Sequence, residues 1–273
     1  MTHDTKWLTQ ACALIAAAMA SGCSTQPLDL HSASQGSQLT PVTVKTSRFT
    51  VQTLQPARVD SKVLRVYIEG DGRAWITRHT ISDDPTPIKS MAPGMAVNDP
   101  QPAVYLARPC QYVLGANCSQ RVWTTGRFGK EVLQAESEVL DALKSRYGIQ
   151  EFELVGYSGG GAVALLLAAT RDDVKQVQTI AGNIDTAAWT TLKHLAPLTD
   201  SLNPVDFSDQ LATVPQRHFI GMNDTVVPAG VSKAYMLKVQ PTCGETVFVS
   251  ADHHAGYEDS WAANRDRAIR CER

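Results

Sequence analysis

The chain of 273 residues predicts an α/β fold, a mostly parallel central sheet flanked by helices on both faces. Two observations carry the prediction. Short apolar runs rich in β-branched residues alternate with segments of helical spacing. One of those runs, Phe152-Glu153-Leu154-Val155, enters a glycine cluster behind which Gly161 to Thr170 is apolar on every side, the pattern of a buried helix.

The remaining elements follow in order. Val42 to Leu54 alternates as one or two edge strands, and Val63 to Ile68 reads as an inner strand ending at Glu69-Gly70-Asp71-Gly72. Ser82 to Pro102 carries Pro85, Pro87, Pro93 and Pro100, so it reads as a long ordered loop that lines a site, and Ala103 to Ala107 is the next strand. From Phe128 to Tyr147 the residues Val132, Leu133, Val139, Leu140 and Leu143 recur at three- and four-residue spacing, a helix that Gly148 ends. Val174 to Ile180, Arg217 to Gly221 and Thr246 to Ser250 are further strands, and 183–215 is an irregular excursion with short helices.

Composition narrows the function. A net charge of −2 without clustered Lys and Arg argues against nucleic acid as a partner, and a small acyl substrate fits better. Lys6 followed by the apolar run Leu8 to Ala20 reads as a cleaved export signal over 1–22. Ala20-Ser21-Gly22-Cys23 has the small residues that precede an acylated cysteine, so Cys23 is expected to hold the mature chain to a membrane on the periplasmic side. The Ser- and Gln-rich stretch 23–41 is expected to be a flexible tether, and 42–273 a single catalytic domain. Of the remaining cysteines, Cys110 is expected to pair with Cys118 and Cys243 with Cys271, as an oxidising compartment permits. No Cys or His spacing suggests a metal, and no cofactor is implied.

Gly156-Tyr157-Ser158-Gly159-Gly160 sits between the short strand and the buried helix. That context makes Ser158 a candidate nucleophile, because a sharp strand-to-helix turn lifts its hydroxyl above the sheet. A hydroxyl needs a histidine to take its proton, and the histidine needs a carboxylate to hold its tautomer. Asp224, just beyond the strand Arg217 to Gly221, is the candidate acid, ahead of Asp185 and Asp206. His253 and His254 compete as the base, and distance from the strand end together with Tyr257 and Glu258 favours His254. The backbone N–H groups of Gly159 and Asp71 are the candidate oxyanion donors. Arg73, Arg108 and Arg127 read as surface or structural arginines, and Trp75, Trp123 and Trp261 as packing residues.

On the strand, elbow and helix at 152–170 and the ordered Ser158, Asp224 and His254, the chain resembles the α/β-hydrolase superfamily from residue 42 onwards. Tyr67 to Gly72, Asp84-Pro85-Thr86-Pro87, Tyr105 to Gln111 and Trp123-Thr124 resemble uncharacterised proteobacterial lipoproteins of that fold. The resemblance implies a serine hydrolase acting on an ester or related acyl bond through an acyl-enzyme. A catalytically idle envelope lipoprotein that binds or scaffolds, a peptidase and a lysophospholipase remain alternatives.

Overall fold

The computed structural model describes residues 26–271. The expected export signal and Cys23 lie outside the described residues. The chain opens with a single helical turn α1 (Leu30–Ala33) and the antiparallel pair β1 (Leu39–Lys45) and β2 (Thr50–Pro56), followed by β3 (Val63–Ile68). A small hairpin, β4 (Trp75–Thr77) and β5 (Thr80–Ile81), and the helix α2 (Ala92–Val97) precede β6 (Ala103–Leu106). Then come α3 (Gln120–Trp123), α4 (Lys130–Tyr147), β7 (Glu151–Tyr157), α5 (Gly159–Thr170) and β8 (Val174–Ile180). The chain continues through α6 (Thr186–Leu192), a 3₁₀ turn at Pro204–Phe207, α7 (Ser208–Leu211), β9 (Gln216–Gly221), α8 (Ala229–Val239), β10 (Gly244–Val249) and α9 (Glu258–Asn264).

Eight strands form one sheet in the order β1-β2-β6-β3-β7-β8-β9-β10, parallel from β6 to β10. The two faces can be read from the period of β3. Leu64, Val66 and Ile68 pack toward α4, α5, α7 and α8, while Tyr67 packs toward α2 and α9. Both faces are covered, and the polar side chains that the inner strands carry on the second face, Arg65, Gln178 and Arg217, are buried with hydrogen-bond partners. α4 carries Val132, Val139, Leu140 and Leu143 onto that first face and ends where Gly148 takes a left-handed φ of +65° and donates its N–H to the Lys144 carbonyl at 2.9 Å.

β3 is joined through α2 to β6 on one side, and β7 lies on its other side with α5 leading on to β8. The carboxyl ends of β3 and β7 therefore flank the point where the direction of winding reverses, and a crevice opens there for topological reasons. The loop 69–72 and the turn at Ser158 form its two lips.

Two expectations are corrected. The stretch expected to be a tether is folded from Leu28 onwards: Leu28 N–H donates to the Pro87 carbonyl, Asp29 caps α1, and Leu30 and Leu39 are buried. Apolar residues spaced among the serines are what hold it to the domain. The loop 82–102 contains α2, with Pro93 in its first turn, where no intrahelical N–H is needed. Both expected disulfides, Cys110–Cys118 and Cys243–Cys271, are present. Among the described residues no helix is long and apolar enough to cross a membrane.

α5 is the keystone of the packing, with Leu165 and Leu166 wholly buried. Truncating Leu166 to Ala is expected to lower the unfolding free energy by about 2–5 kcal/mol, through lost transfer energy and the cavity left behind. Urea unfolding of Leu166→Ala checks this, and a loss below about 1 kcal/mol would contradict the packing described.

Candidate active site

β7 ends on Tyr157, and the next residue turns back into α5 with Ser158 at φ +51° and ψ −120°, a conformation that a side chain adopts only under constraint. The constraint comes from crowding on both sides. A Cβ at Gly160 would lie 2.6 Å from the Glu69 carbonyl oxygen, and one at Gly156 would lie 2.5 Å from the Gly161 Cα, so only glycines allow the strand, turn and helix to close. Ser158 N–H donates to the Ile180 carbonyl at 2.9 Å, and its own carbonyl accepts from Gly161 and Asn183 N–H.

β9 and β10 deliver the candidate acid and the candidate base. Beyond Gly221, Asp224 turns so that Oδ1 accepts the N–H groups of Val226 and Val227, both at 2.8 Å, leaving Oδ2 for a partner. That partner is His253, whose Nδ1 lies 2.8 Å from Oδ2 and whose Nε2 lies 3.0 Å from Ser158 Oγ. Asn223 N–H donates to the Ala251 carbonyl, tying the acid's loop to the base's loop. An ionised carboxylate only accepts, so the ring proton sits on Nδ1 and Nε2 offers its lone pair to the serine.

The expectation that His254 fills this place is therefore corrected to His253. Successive residues in extended chain point in opposite directions, and the bend after β10 turns 253 inward and 254 outward. His254 Nδ1 lies 3.2 Å from the Tyr157 hydroxyl, which donates its own proton to the His253 carbonyl, and His254 N–H donates to Asp252. Partial burial and the neighbouring His253 hold the His254 imidazole below its ordinary pKa. Asp185 caps α6 and pairs with Lys238, and Asp206 lies in the 3₁₀ turn, so neither competes with Asp224.

The N–H groups of Asp71 and Gly159, the expected oxyanion donors, meet no acceptor among the described residues. The loop that presents Asp71 is held from beneath by Glu69, whose buried carboxylate accepts from Gly70 N–H at 2.7 Å, Ser90 Oγ at 2.7 Å and the Tyr105 hydroxyl at 2.9 Å. Gln111 Nε2 donates to the Gly70 carbonyl at 3.0 Å, and Gly72 takes φ +61°. The Asp71 side chain folds back against Gly159, whose missing side chain leaves room for it. It pairs there with Arg127 Nη1 at 2.6 Å and faces Arg108 Nη1 at 3.6 Å. Arg108 Nε in turn donates to Glu136 at 2.9 Å.

Arg108 and Arg127, read from the sequence as surface or structural, are thus buried partners of the loop. The signal that could have found them was their place beside Pro109-Cys110-Gln111 and Phe128-Gly129, runs whose neighbours are apolar or turn-forming. Arg73, by contrast, contributes its backbone N–H to the Pro85 carbonyl.

Above Ser158 lies a cavity of about 580 Å³. Its walls include Pro87 and Lys89 from 82–102, the loop expected to line a site, and Asn183, Trp189, Leu195 and Leu198 from the excursion 183–215. Trp75 also faces the cavity, whereas Trp123 is buried with Nε1 donating to the Ser82 carbonyl and Trp261 packs edge-on against Tyr67 and Phe219. Among the described residues no three His, Cys, Asp or Glu side chains converge as a metal site.

No protein-family model matches the chain, and no curated protein matches it in sequence. Solved structures do match in shape. An esterase of Pyrococcus furiosus superposes with a TM-score of 0.63 at 10% identity, over 88% of this chain and 92% of that one. A protein of Acinetobacter baumannii assigned as a lipase gives 0.58 at 11% identity, over 90% and 96%. The acylaminoacyl peptidase of Pyrococcus horikoshii gives 0.56 at 12% identity, over 82% of this chain and 38% of that one. This chain has the α/β-hydrolase fold. Within that fold Ser158 stands at the turn from β7 into α5, and the loop 69–72 follows the end of β3.

Burial pushes the Glu136 carboxyl up to about 7, against the pull of Arg108. Between about 4.5 and about 7 the folded domain therefore keeps a proton that the unfolded chain has lost, and this group's contribution to stability falls as pH rises through that window. Glu136→Gln is expected to remove that decline. Unfolding free energies of wild type and variant, measured across the window, should converge toward its acidic end, and parallel curves would contradict it.

Proposed function

We propose that the protein is a serine hydrolase that cleaves an ester or related acyl bond through an acyl-enzyme. The observation that carries the reading is the line from Ser158 Oγ through His253 to Asp224, with contacts of 3.0 and 2.8 Å. His253 Nε2 takes the hydroxyl proton as Oγ attacks the carbonyl carbon, and Asp224 stabilises the imidazolium that forms. The negative charge on the former carbonyl oxygen is received by the N–H groups of Asp71 and Gly159, the latter at the start of α5, where the helix dipole adds to it. His253 then returns the proton to the leaving alcohol, and a water repeats the sequence to free the acid.

A cavity of about 580 Å³ with mixed apolar and polar walls is of the size that takes a small acyl substrate. The two disulfides support a place outside the reducing cytoplasm. Together with the export signal over 1–22 and Cys23 they favour a periplasmic, lipid-anchored protein.

A fluorophosphonate probe is expected to label the protein and to fail on Ser158→Ala. On a short-chain p-nitrophenyl ester, His253→Ala should lower kcat by about 10²–10⁴-fold and His254→Ala by under about tenfold. Equal labelling of Ser158→Ala would refute the reading, and a His254→Ala loss as large as that of His253→Ala would refute the choice of base.

A further inference from the structure

The guanidinium of Arg127 is only 8% exposed, yet one edge of it is uncommitted. Nε donates to the Thr124 carbonyl at 2.7 Å and Nη1 to Asp71 Oδ2 at 2.6 Å, while Nη2 meets no acceptor among the described residues. The side chain lines the same cavity as Ser158 and lies over the Trp189 ring, 5.9 Å from its centroid. Asn183, buried beside Ser158 and lining the same space, has a side-chain amide with no hydrogen-bond partner among the described residues, its Oδ1 included. Further out, Arg78 and Lys89 stand exposed on the cavity wall, and neither is paired with a carboxylate among the described residues.

Two acids also line this space, and both are already engaged. Glu69 accepts from three donors, and Asp71 is faced by two arginines. What the cavity offers an incoming molecule is therefore the free Nη2 edge of Arg127 and the unpaired Asn183 amide inside, with the positive charges of Arg78 and Lys89 at the mouth. A partly desolvated guanidinium with free N–H groups binds a carboxylate by charge-assisted hydrogen bonds, which are shorter and stronger than neutral ones.

We propose that the substrate is an ester whose acyl part carries a free carboxylate, the half-ester of a dicarboxylic acid, held by Arg127 with Arg78 and Lys89 guiding it in. This rests on the serine-hydrolase reading above. The position of Arg127 also limits the chain length. Its partner Asp71 lies against Gly159, the residue after the nucleophile, so the carboxylate sits within a few bonds of the scissile carbonyl.

The test compares acyl chains of equal length with and without the charge: monoethyl succinate against ethyl butyrate, and monoethyl adipate against ethyl hexanoate, followed by proton release at constant pH. At low ionic strength kcat/KM should favour the half-ester by at least about tenfold in one of the pairs, and added salt should narrow the gap. Arg127→Lys keeps a charge beside Asp71 but removes the planar fork, and should cut the preference through KM of the half-ester. Arg78→Ala/Lys89→Ala, both on the surface, should cut it several-fold. Equal or better turnover of both neutral esters, or a preference unmoved in both variants, would overturn the proposal. Hydrolysis of neither kind of ester, with no labelling of Ser158, would instead remove the hydrolase reading and this inference with it.

Discussion

The site depends on one close approach: the turn at Ser158 passes so near the end of β3 that residue 160 has room for no side chain beside the Ile68 and Glu69 carbonyls. That approach forces Ser158 to a positive φ, a strain of order 1–3 kcal/mol that the surroundings must hold in place. α5 does so, since it begins at the next residue and buries nearly all of its surface. The same approach brings the Gly159 N–H next to the loop after β3, so the strain at the serine and the pairing of the two amide donors have a single origin.

A second constraint is charge inside a low-dielectric layer. Glu69, Asp71, Arg108, Arg127 and Glu136 lie beneath or beside the donor loop, most of them with little contact with water. An unpaired ion there would be costly, and a half-satisfied network worse than an apolar one. The arrangement is a chain of basic and acidic groups in alternation, Arg127 to Asp71 to Arg108 to Glu136, in which Asp71 Oδ1, Arg108 Nη1 and Glu136 Oε2 nonetheless make no hydrogen bond among the described residues. A loop held by such a chain has few alternative positions, which is what a donor aimed at a developing negative charge requires.

Much of this was legible in the residues. The period of two in β3, the period of 3.6 in α4 and the all-round apolar face of α5 reflect burial directly, and burial is what hydropathy measures. Ser158 and Asp224 were readable because each follows a strand end, where the fold places chemistry. The base was not: choosing between His253 and His254 depends on how the chain bends over four residues after β10, and counting does not determine a bend. The folded segment before β1 was hidden because Leu28, Leu30 and Leu39 are sparse among polar neighbours and their partners lie far along the chain. The shared partner of Arg108 and Arg127 was hidden for a related reason, since an arginine is buried only when its carboxylate meets it, and Asp71 meets both across a distance in sequence that no local pattern spans.

Ser158 follows a central strand, while its partner His253 hangs from β10, the last strand of the sheet, where Thr246 and Phe248 face solvent. Edges of a sheet open more readily than centres. Ser158 and His253 therefore belong to regions of unequal durability, and the contact between them can lapse while the scaffold of Ser158 is still intact. Arg217, which reaches from β9 to the carbonyls of Asn264, Arg267 and Ala268, and the Cys243–Cys271 link fasten this frayable margin on both sides of the base. They act as a hem stitched along the edge that carries the histidine, and the compartment's redox state helps decide how long that edge stays closed.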